Sequence, residues 1–179
     1  MDRKFVDLSR LRFNGINREL RKILQEQKIQ ERPFAYEFYH QFRKMWDDGS
    51  ILKILSEDVV IQAEINKSYQ NIPHLKKIPD ILLHKPSNID KNFAVIEFKL
   101  TSNINQIEND FKKLIAFKRR LGYVYLIEII IGDKNSLTNA KRRILSLNNP
   151  NGEEIILIEF DTDSWRANDY KIKYESNDA

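Results

Sequence analysis

The stretches IPDILLH (residues 78–84) and NFAVIEFKL (residues 92–100) decide the fold of this chain. Both are rich in the apolar and β-branched residues that favour strands, and a short polar segment separates them. A third β-rich run, VVIQAEINKSY (residues 59–69), comes before them. Because strands with short connections are usually antiparallel neighbours, the sequence predicts three consecutive antiparallel strands.

The segment after the third strand has the pattern of a crossover connection. Residues 104–121 repeat apolar side chains at helical spacing, and Gly122 provides a stop. The next run, YVYLIEIII (residues 123–131), is apolar on both faces apart from Glu128. Such a strand belongs in the middle of a sheet that is covered on both sides, and a helix that leads into it favours a parallel pairing.

Further helices are predicted on either side of this β-rich region. Residues 8–27 have the period of an amphipathic helix, and Pro33 suits the first turn of a second helix that runs to about Asp48. A basic helix near residues 136–147 and a strand near residues 153–160 follow the central strand. The apolar stripe of the second helix consists of Phe34, Phe38, Phe42 and Met45.

This order of elements predicts an α/β fold in which helices flank a mixed sheet. The length of 179 residues suits a single domain. Within it we expect a helical arm over residues 1–30, a core over residues 31–160, and a polar tail, able to form a strand, over residues 161–179.

The residues that carry chemistry lie on the two deciding strands. Side chains alternate along a strand, so Glu97 and Lys99 share one face, and Asp80 can reach that face from its own strand. Two carboxylates and one ammonium group would then meet at one point. Mg²⁺ prefers oxygen ligands and usually takes one or two carboxylates, which makes Asp80 and Glu97 candidate ligands. The backbone carbonyl of Phe98 is a candidate further ligand.

The arrangement of Pro79 and Asp80 followed by Glu97, any residue and Lys99 resembles the signature of the PD-(D/E)xK nuclease superfamily. The tripeptide (D/E)xK occurs five times in the chain, but only the copy at Glu97 lies in an apolar strand after a Pro-Asp pair. The resemblance covers roughly residues 34–131. It implies the restriction-endonuclease-like core of helix, three strands, helix and strand, here with an extra N-terminal helix and a C-terminal helix and strand.

The resemblance also implies a function, which is hydrolysis of phosphodiester bonds in DNA with Mg²⁺, or Mn²⁺ as a substitute. Asp80 and Glu97 would hold the ion, and Lys99 would orient the attacking water or offset charge in the transition state. Restriction, repair and defence are all served by this superfamily. The alternatives are a nuclease-fold protein that binds nucleic acid or scaffolds a complex without turnover, and a cross-strand salt bridge between Lys99 and one acid.

The superfamily often adds an acid from an earlier element, and two residues are candidates. Glu37 lies beside the apolar stripe of the second helix, and a surface acid is the alternative reading. Glu64 alternates with the apolar residues of the first β-rich run, and a pair with a nearby lysine is the alternative. Either residue would extend the candidate catalytic group of Asp80, Glu97 and Lys99.

Composition bounds the class of protein. There is no cysteine, which excludes a disulfide framework and a thiolate zinc site, and no segment approaches membrane-spanning length. We therefore expect a soluble, cytoplasmic protein with DNA as its partner, and either a homodimer or a partner subunit is left open. Thirty basic against 26 acidic residues give a net charge of +4. The candidate phosphate contacts form three basic groups: Arg10, Arg12, Arg18, Arg21 and Lys22; Lys112, Lys113, Lys118, Arg119 and Arg120; and Lys141, Arg142 and Arg143.

Overall fold

The computed structural model describes residues 30–47, 59–64, 78–85 and 92–176. The chain divides into two compact units, residues 1–58 and residues 59–179. The helix predicted over residues 8–27 lies outside the described residues. So does the end of the first β-rich run beyond Glu64.

The first unit contains helix α1, Glu31–Asp47. Pro33 stands in its first turn, where the missing amide hydrogen of proline costs no helical hydrogen bond. Phe34, Phe38 and Phe42 are buried as predicted, but the stripe is completed by Trp46, whereas Met45 is only partly buried. The rings of Phe42 and Trp46 lie 6.2 Å apart, so aromatic packing continues to the last turn of α1.

The second unit is a mixed sheet of six strands in the order β1 to β6, with helices in the connections. β1 pairs with β2 and β2 with β3 antiparallel, β3 with β4 and β4 with β5 parallel, and β5 with β6 antiparallel. The elements are β1 Val60–Ala63, β2 Ile81–His84, β3 Asn92–Leu100, a 3-10 helix Thr101–Gln106, α2 Ile107–Leu121, β4 Tyr125–Gly132, α3 Lys134–Ser146, β5 Glu153–Asp161 and β6 Arg166–Tyr174.

The predicted crossover from β3 through α2 to β4 is confirmed. Gly122 follows α2 with a φ of 70°, a left-handed conformation that glycine adopts without strain, and its amide donates to the carbonyl of Lys118. The chain can therefore reverse at once and run parallel to β3. This places α2 directly above the strand that carries Glu97 and Lys99.

Both faces of the central strands are buried. Val95, Leu126, Ile130 and Leu157 pack with the apolar stripes of α2 and α3 in one core. The opposite face consists of buried apolar residues that include Ile81, Ala94, Ile96, Phe98, Ile127, Ile129, Ile156, Ile158 and Phe160. Glu97 and Lys99 alternate with Ile96 and Phe98 and therefore point to the same side as Val95, under helix α2.

The carboxyl-terminal segment forms more sheet than the sequence indicated. Residues 166–174, expected within a polar tail, form β6 and pair with β5 along its whole length. Ile172 and Tyr174 are buried by this pairing, while the polar residues at the start of the strand stay exposed or partly exposed. The mixed sheet thus ends in a polar edge strand. Among the described residues no helix is long and apolar enough to cross a membrane.

Candidate functional site

Asp80 occupies the position immediately before β2 and is held from two sides. Its Oδ2 accepts a hydrogen bond of 2.9 Å from the backbone amide of Phe98, and its carbonyl oxygen accepts one of 3.0 Å from the amide of Glu64. The side chain of Asp80 thus accepts the hydrogen bond from β3 that a backbone carbonyl of a longer β2 would accept. This bond directs the Asp80 carboxyl group toward the middle of β3.

Glu97 lies in β3 with only 2% of its surface exposed. Its carboxyl group is close enough to that of Asp80 for the two to interact electrostatically, and its Oε2 lies 2.5 Å from Nζ of Lys113 on α2. The carboxyl groups of Asp80 and Glu97 therefore meet on one side of the sheet.

Lys99 shares this face but is engaged by the helix above it. Its Nζ lies 3.0 Å from Oδ2 of Asp110, and the other oxygen of Asp110 lies 3.8 Å from Nζ of Lys113. The two ion pairs, Lys99 with Asp110 and Lys113 with Glu97, both run between β3 and α2. Glu97 and Lys99, the two signature residues on β3, are thus each paired with an opposite charge on α2.

Glu128 adds a further carboxyl group beside Glu97. The two residues are direct partners in the parallel register of β3 and β4, and Glu128 is fully buried. Among the described residues, neither of its carboxyl oxygens finds a hydrogen-bond partner, and Oε1 of Glu97 also lacks one. Buried polar groups are normally paired, so these orphan oxygens mark the cluster as unusual.

Burial dominates the electrostatics of the cluster. It raises the pKa of Asp80, although the Phe98 amide and Lys113 oppose the shift. Burial and the neighbouring Asp80 raise the pKa of Glu97 well above its ordinary value, and burial together with Asp110 does the same for Glu128. Burial also disfavours the charge on Lys113, but the Glu97 and Asp110 carboxylates outweigh it and raise the pKa of Lys113. These shifts favour the protonated forms of Asp80, Glu97 and Glu128.

The charges of this cluster fit a divalent cation. Four carboxyl groups, those of Asp80, Glu97, Asp110 and Glu128, face two ammonium groups, so full ionisation leaves two negative charges uncompensated. The orphan Oε1 of Glu97 is an oxygen ligand of the kind that Mg²⁺ takes. Within the described part of the chain, no group of three or more His, Cys, Asp or Glu side chains has the geometry to hold a metal ion. Any site here therefore relies on Asp80 and Glu97 with water or substrate oxygens.

An open cleft leads to the cluster from the solvent. It has a volume of about 370 Å³ and is lined by Ile78, Asn109, Asp110, Lys112 and Lys113. Ile78 belongs to the segment that carries Asp80, and the other lining residues lie on the first two turns of α2. Through Asp110 and Lys113, the wall of the cleft is continuous with the buried carboxyl groups.

The remaining predicted site residues have separate positions. Glu64 directly follows β1, has a φ of 48° and is exposed, so its side chain does not continue the regular alternation on which its prediction depended. Glu37 lies on α1 in the first unit, where its Oε1 accepts a hydrogen bond of 2.5 Å from Gln41. Phe98 contributes its amide to Asp80, and a ligand role for its carbonyl stays a prediction.

The basic groups are partly neutralised within the second unit. Lys118 and Arg119 lie 2.7 Å and 3.8 Å from the carboxylate of Glu153, and Lys141 lies 3.7 Å from Glu159. The first basic group, Arg10 to Lys22, lies outside the described residues. A phosphate contact for these residues stays a prediction.

Sequence reasoning found the helical half of the cluster only in part, because it named Lys113 as a candidate phosphate contact but missed Asp110 and the ion pairs of both residues with β3. Asp110 and Lys113 are one turn apart on α2, beside the buried Phe111 and Leu114. An acid and a lysine that flank the apolar stripe of a crossover helix are the signal that indicates them. Glu128 was visible as the single charge in an apolar strand, but only the parallel register with Glu97 shows what it is next to.

Comparison with protein-family models, with curated proteins and with solved structures finds no match to this chain.

Proposed function

We propose that this protein is a metal-dependent nuclease of the PD-(D/E)xK type that hydrolyses phosphodiester bonds of DNA. The observation that carries the proposal is the meeting of the Asp80 and Glu97 carboxyl groups on one face of the sheet, with Lys99 two residues along β3 on the same face. A buried acid beside a half-buried one is costly without a compensating charge. Their burial therefore supports a functional cation rather than a purely structural role.

The order of elements supports the finer part of the proposal. Along the chain a helix is followed by three strands, a helix and a strand, which is the order of the restriction-endonuclease-like core. Asp80 stands immediately before the second of those strands and Glu97 stands on the third, and the crossover helix follows the third. Beyond that core the described residues form α3, β5 and β6, and β6 lies in the tail that was predicted to be able to form a strand.

In the proposed reaction the oxygen of a water molecule bonds to phosphorus and one P–O ester bond breaks. One proton of the water passes to the leaving oxygen, and the products are a phosphomonoester and a hydroxyl group. When bound, Mg²⁺ or Mn²⁺ would polarise the phosphate and lower the pKa of a coordinated water. Asp80 and Glu97 would hold the ion, while the ammonium groups of the cluster would attract and orient the phosphate.

The direct experiment is a cleavage panel with single-stranded, duplex and branched DNA and with RNA. Each substrate is incubated with Mg²⁺, Mn²⁺ or EDTA. Wild-type protein is compared with Asp80→Asn, Glu97→Gln and Lys171→Met, the last of which removes an exposed ammonium that pairs with Glu154 at 2.8 Å. Metal-dependent cleavage lost in the two acid variants and kept in Lys171→Met supports the proposal. Cleavage that persists in Asp80→Asn contradicts it.

A second function is favoured by one observation, the pairing of Lys99 with Asp110 at 3.0 Å. An ammonium that is held by a structural partner suits a protein that kept the nuclease fold, binds nucleic acid and has lost turnover. Such a protein would bind DNA with a steep dependence on salt and leave it intact. The same panel separates the two functions, because only the first yields cleaved product.

A further inference from the structure

We infer that Lys113 on α2, rather than Lys99 on β3, is the ammonium group that contacts the substrate phosphate. The inference rests on the proposed function and deepens it, since it assigns the phosphate contact to a helix residue outside the signature. It also assigns the substrate path to the cleft lined by Ile78, Asn109, Asp110, Lys112 and Lys113. Lys99 becomes a positioning residue that acts through Asp110.

Accessibility separates the two lysines. The side chain of Lys113 is 17% exposed and lines the cleft, whereas that of Lys99 is 8% exposed and is absent from the cleft wall. Of these two lysines, Lys113 is therefore the one that a phosphate in the cleft can reach. A phosphate that reached Lys99 would have to pass the Asp110 carboxylate, which repels it.

The ion pairs also favour Lys113 as the phosphate contact. Lys113 lies 2.5 Å from Oε2 of Glu97, so a phosphate held by Lys113 is brought next to a proposed ligand of the metal ion. Lys99 lies 3.0 Å from Asp110, and that contact leaves Asp110 fixed beside Lys113. Lys113 thus faces both the cleft and the acids, while Lys99 orients Asp110, which contacts both lysines.

The neighbours of Lys113 in the cleft are suited to a phosphodiester chain. Lys112 adds a second ammonium and Asn109 adds a side-chain amide that can donate to a phosphate oxygen. Lys112 is 30% exposed and its Nζ lies 3.7 Å from Oε1 of the exposed Glu108. Contacts of this type position a nucleic-acid backbone without reading its sequence.

The test measures binding without metal, so that it does not depend on turnover. Fluorescein-labelled single-stranded and duplex DNA are titrated with protein in EDTA at several salt concentrations, and anisotropy is recorded. Lys113→Met is expected to bind about tenfold more weakly than wild type, with a salt slope lower by about 1. Lys113→Arg, which keeps the charge, should retain most of the affinity. The control Lys171→Met should bind nearly as wild type does, and Lys99→Met should lose clearly less affinity than Lys113→Met.

Loss of the Lys113 charge leaves Glu97 without its ion pair, so the fold of each variant is checked by thermal melting. If Lys113→Met does not fold, Glu97→Gln/Lys113→Met is compared with Glu97→Gln, and the same tenfold loss is expected. In that background the buried acid no longer needs the ammonium.

The outcomes distinguish the inference from the proposed function. A folded Lys113→Met that binds as tightly as Lys171→Met overturns the inference, even when wild-type protein cleaves DNA. An equal loss in Lys99→Met also overturns it, as does a wild-type protein that binds no DNA. A selective loss in Lys113→Met supports the phosphate contact, and if wild-type protein then cleaves nothing with Mg²⁺, it is the proposed hydrolysis that fails.

Discussion

Asp80 Oδ2 accepts a hydrogen bond of 2.9 Å from the backbone amide of Phe98, so a residue outside β2 is fixed against the middle of β3. The bond explains why a half-buried acid keeps a defined position even though burial raises its pKa. It also separates two roles of Asp80. The side chain is an acceptor for the fold and a charge for the candidate site.

Substitutions at Asp80 should separate these roles. The oxygen of Asn can accept the Phe98 hydrogen bond, so Asp80→Asn should be at least as stable as wild type in EDTA. Asp80→Ala leaves the Phe98 amide unpaired and should lose about 1 to 3 kcal/mol. Urea unfolding measures both free energies. Equal stability of the two variants would show that the hydrogen bond contributes nothing to the fold.

The free energy of unfolding should depend on pH in a direction set by the buried acids. The pKa values of Asp80, Glu97 and Glu128 are raised in the fold, chiefly by burial, so the folded state binds more protons than the unfolded state above the ordinary values of 3.8 and 4.5. The contribution of these three groups to stability without metal is therefore greatest below these values. It falls as pH rises from them toward the raised pKa values of the fold.

Glu128→Met is the variant that checks the source of this dependence. It replaces a fully buried carboxyl group that has no hydrogen-bond partner among the described residues. We expect a gain of about 1 to 3 kcal/mol near neutral pH and a shallower fall of stability with pH. Urea unfolding from about pH 5 to about pH 8 in EDTA measures both. A variant that is less stable than wild type at neutral pH would mean that Glu128 is ionised and paired.

Divalent cations should counteract the fall of stability with rising pH. Ligand carboxylates must lose their protons before they bind a metal ion, so the affinity for the ion rises with pH. The increase in melting temperature on addition of Mn²⁺ should thus be larger near pH 8 than near pH 5.5. Asp80→Asn is the control and should show little increase at either pH. An increase that is independent of pH would indicate binding elsewhere on the chain.

The pair of Lys99 and Asp110 should be energetically coupled. Both side chains are mostly buried, so removal of one partner leaves a buried charge, while removal of both does not. A double-mutant cycle with Lys99→Met and Asp110→Asn should give a coupling of about 1 to 3 kcal/mol. The exposed pair of Lys171 and Glu154 is the matched control and should give less than about 1 kcal/mol. Equal couplings would contradict the role of Lys99 as a positioning residue.

Much of the sheet was predictable because its strands carry strong local signals. The apolar run around Glu97 indicates β3, the helical spacing after it indicates α2, and Gly122 indicates the end of α2. The structure contains all three features. β6 was less visible, since Asn, Asp and Lys interrupt its alternation and its pairing with β5 decides the outcome. In α1, Trp46 rather than Met45 completes the buried stripe. Which of the two is buried depends on the rotation of the helix about its axis, and the spacing of apolar residues defines that rotation only to within about one residue.

The candidate site was predictable only in its strand residues. Alternation places Glu97 and Lys99 on one face, and the short connection brings Asp80 beside them. The partners Asp110 and Lys113 depend on how α2 lies across the sheet, which no local pattern encodes. The regular alternation expected of Glu64 ends because its backbone adopts a φ of 48°.

The most direct measurement is a calorimetric titration of Mn²⁺ into the wild-type protein, Asp80→Asn and Glu97→Gln near pH 8. We predict one ion per chain for the wild type and at least about tenfold weaker binding in each acid variant. Binding of the wild-type strength in both variants, or no binding by the wild type, would contradict a metal site formed by Asp80 and Glu97.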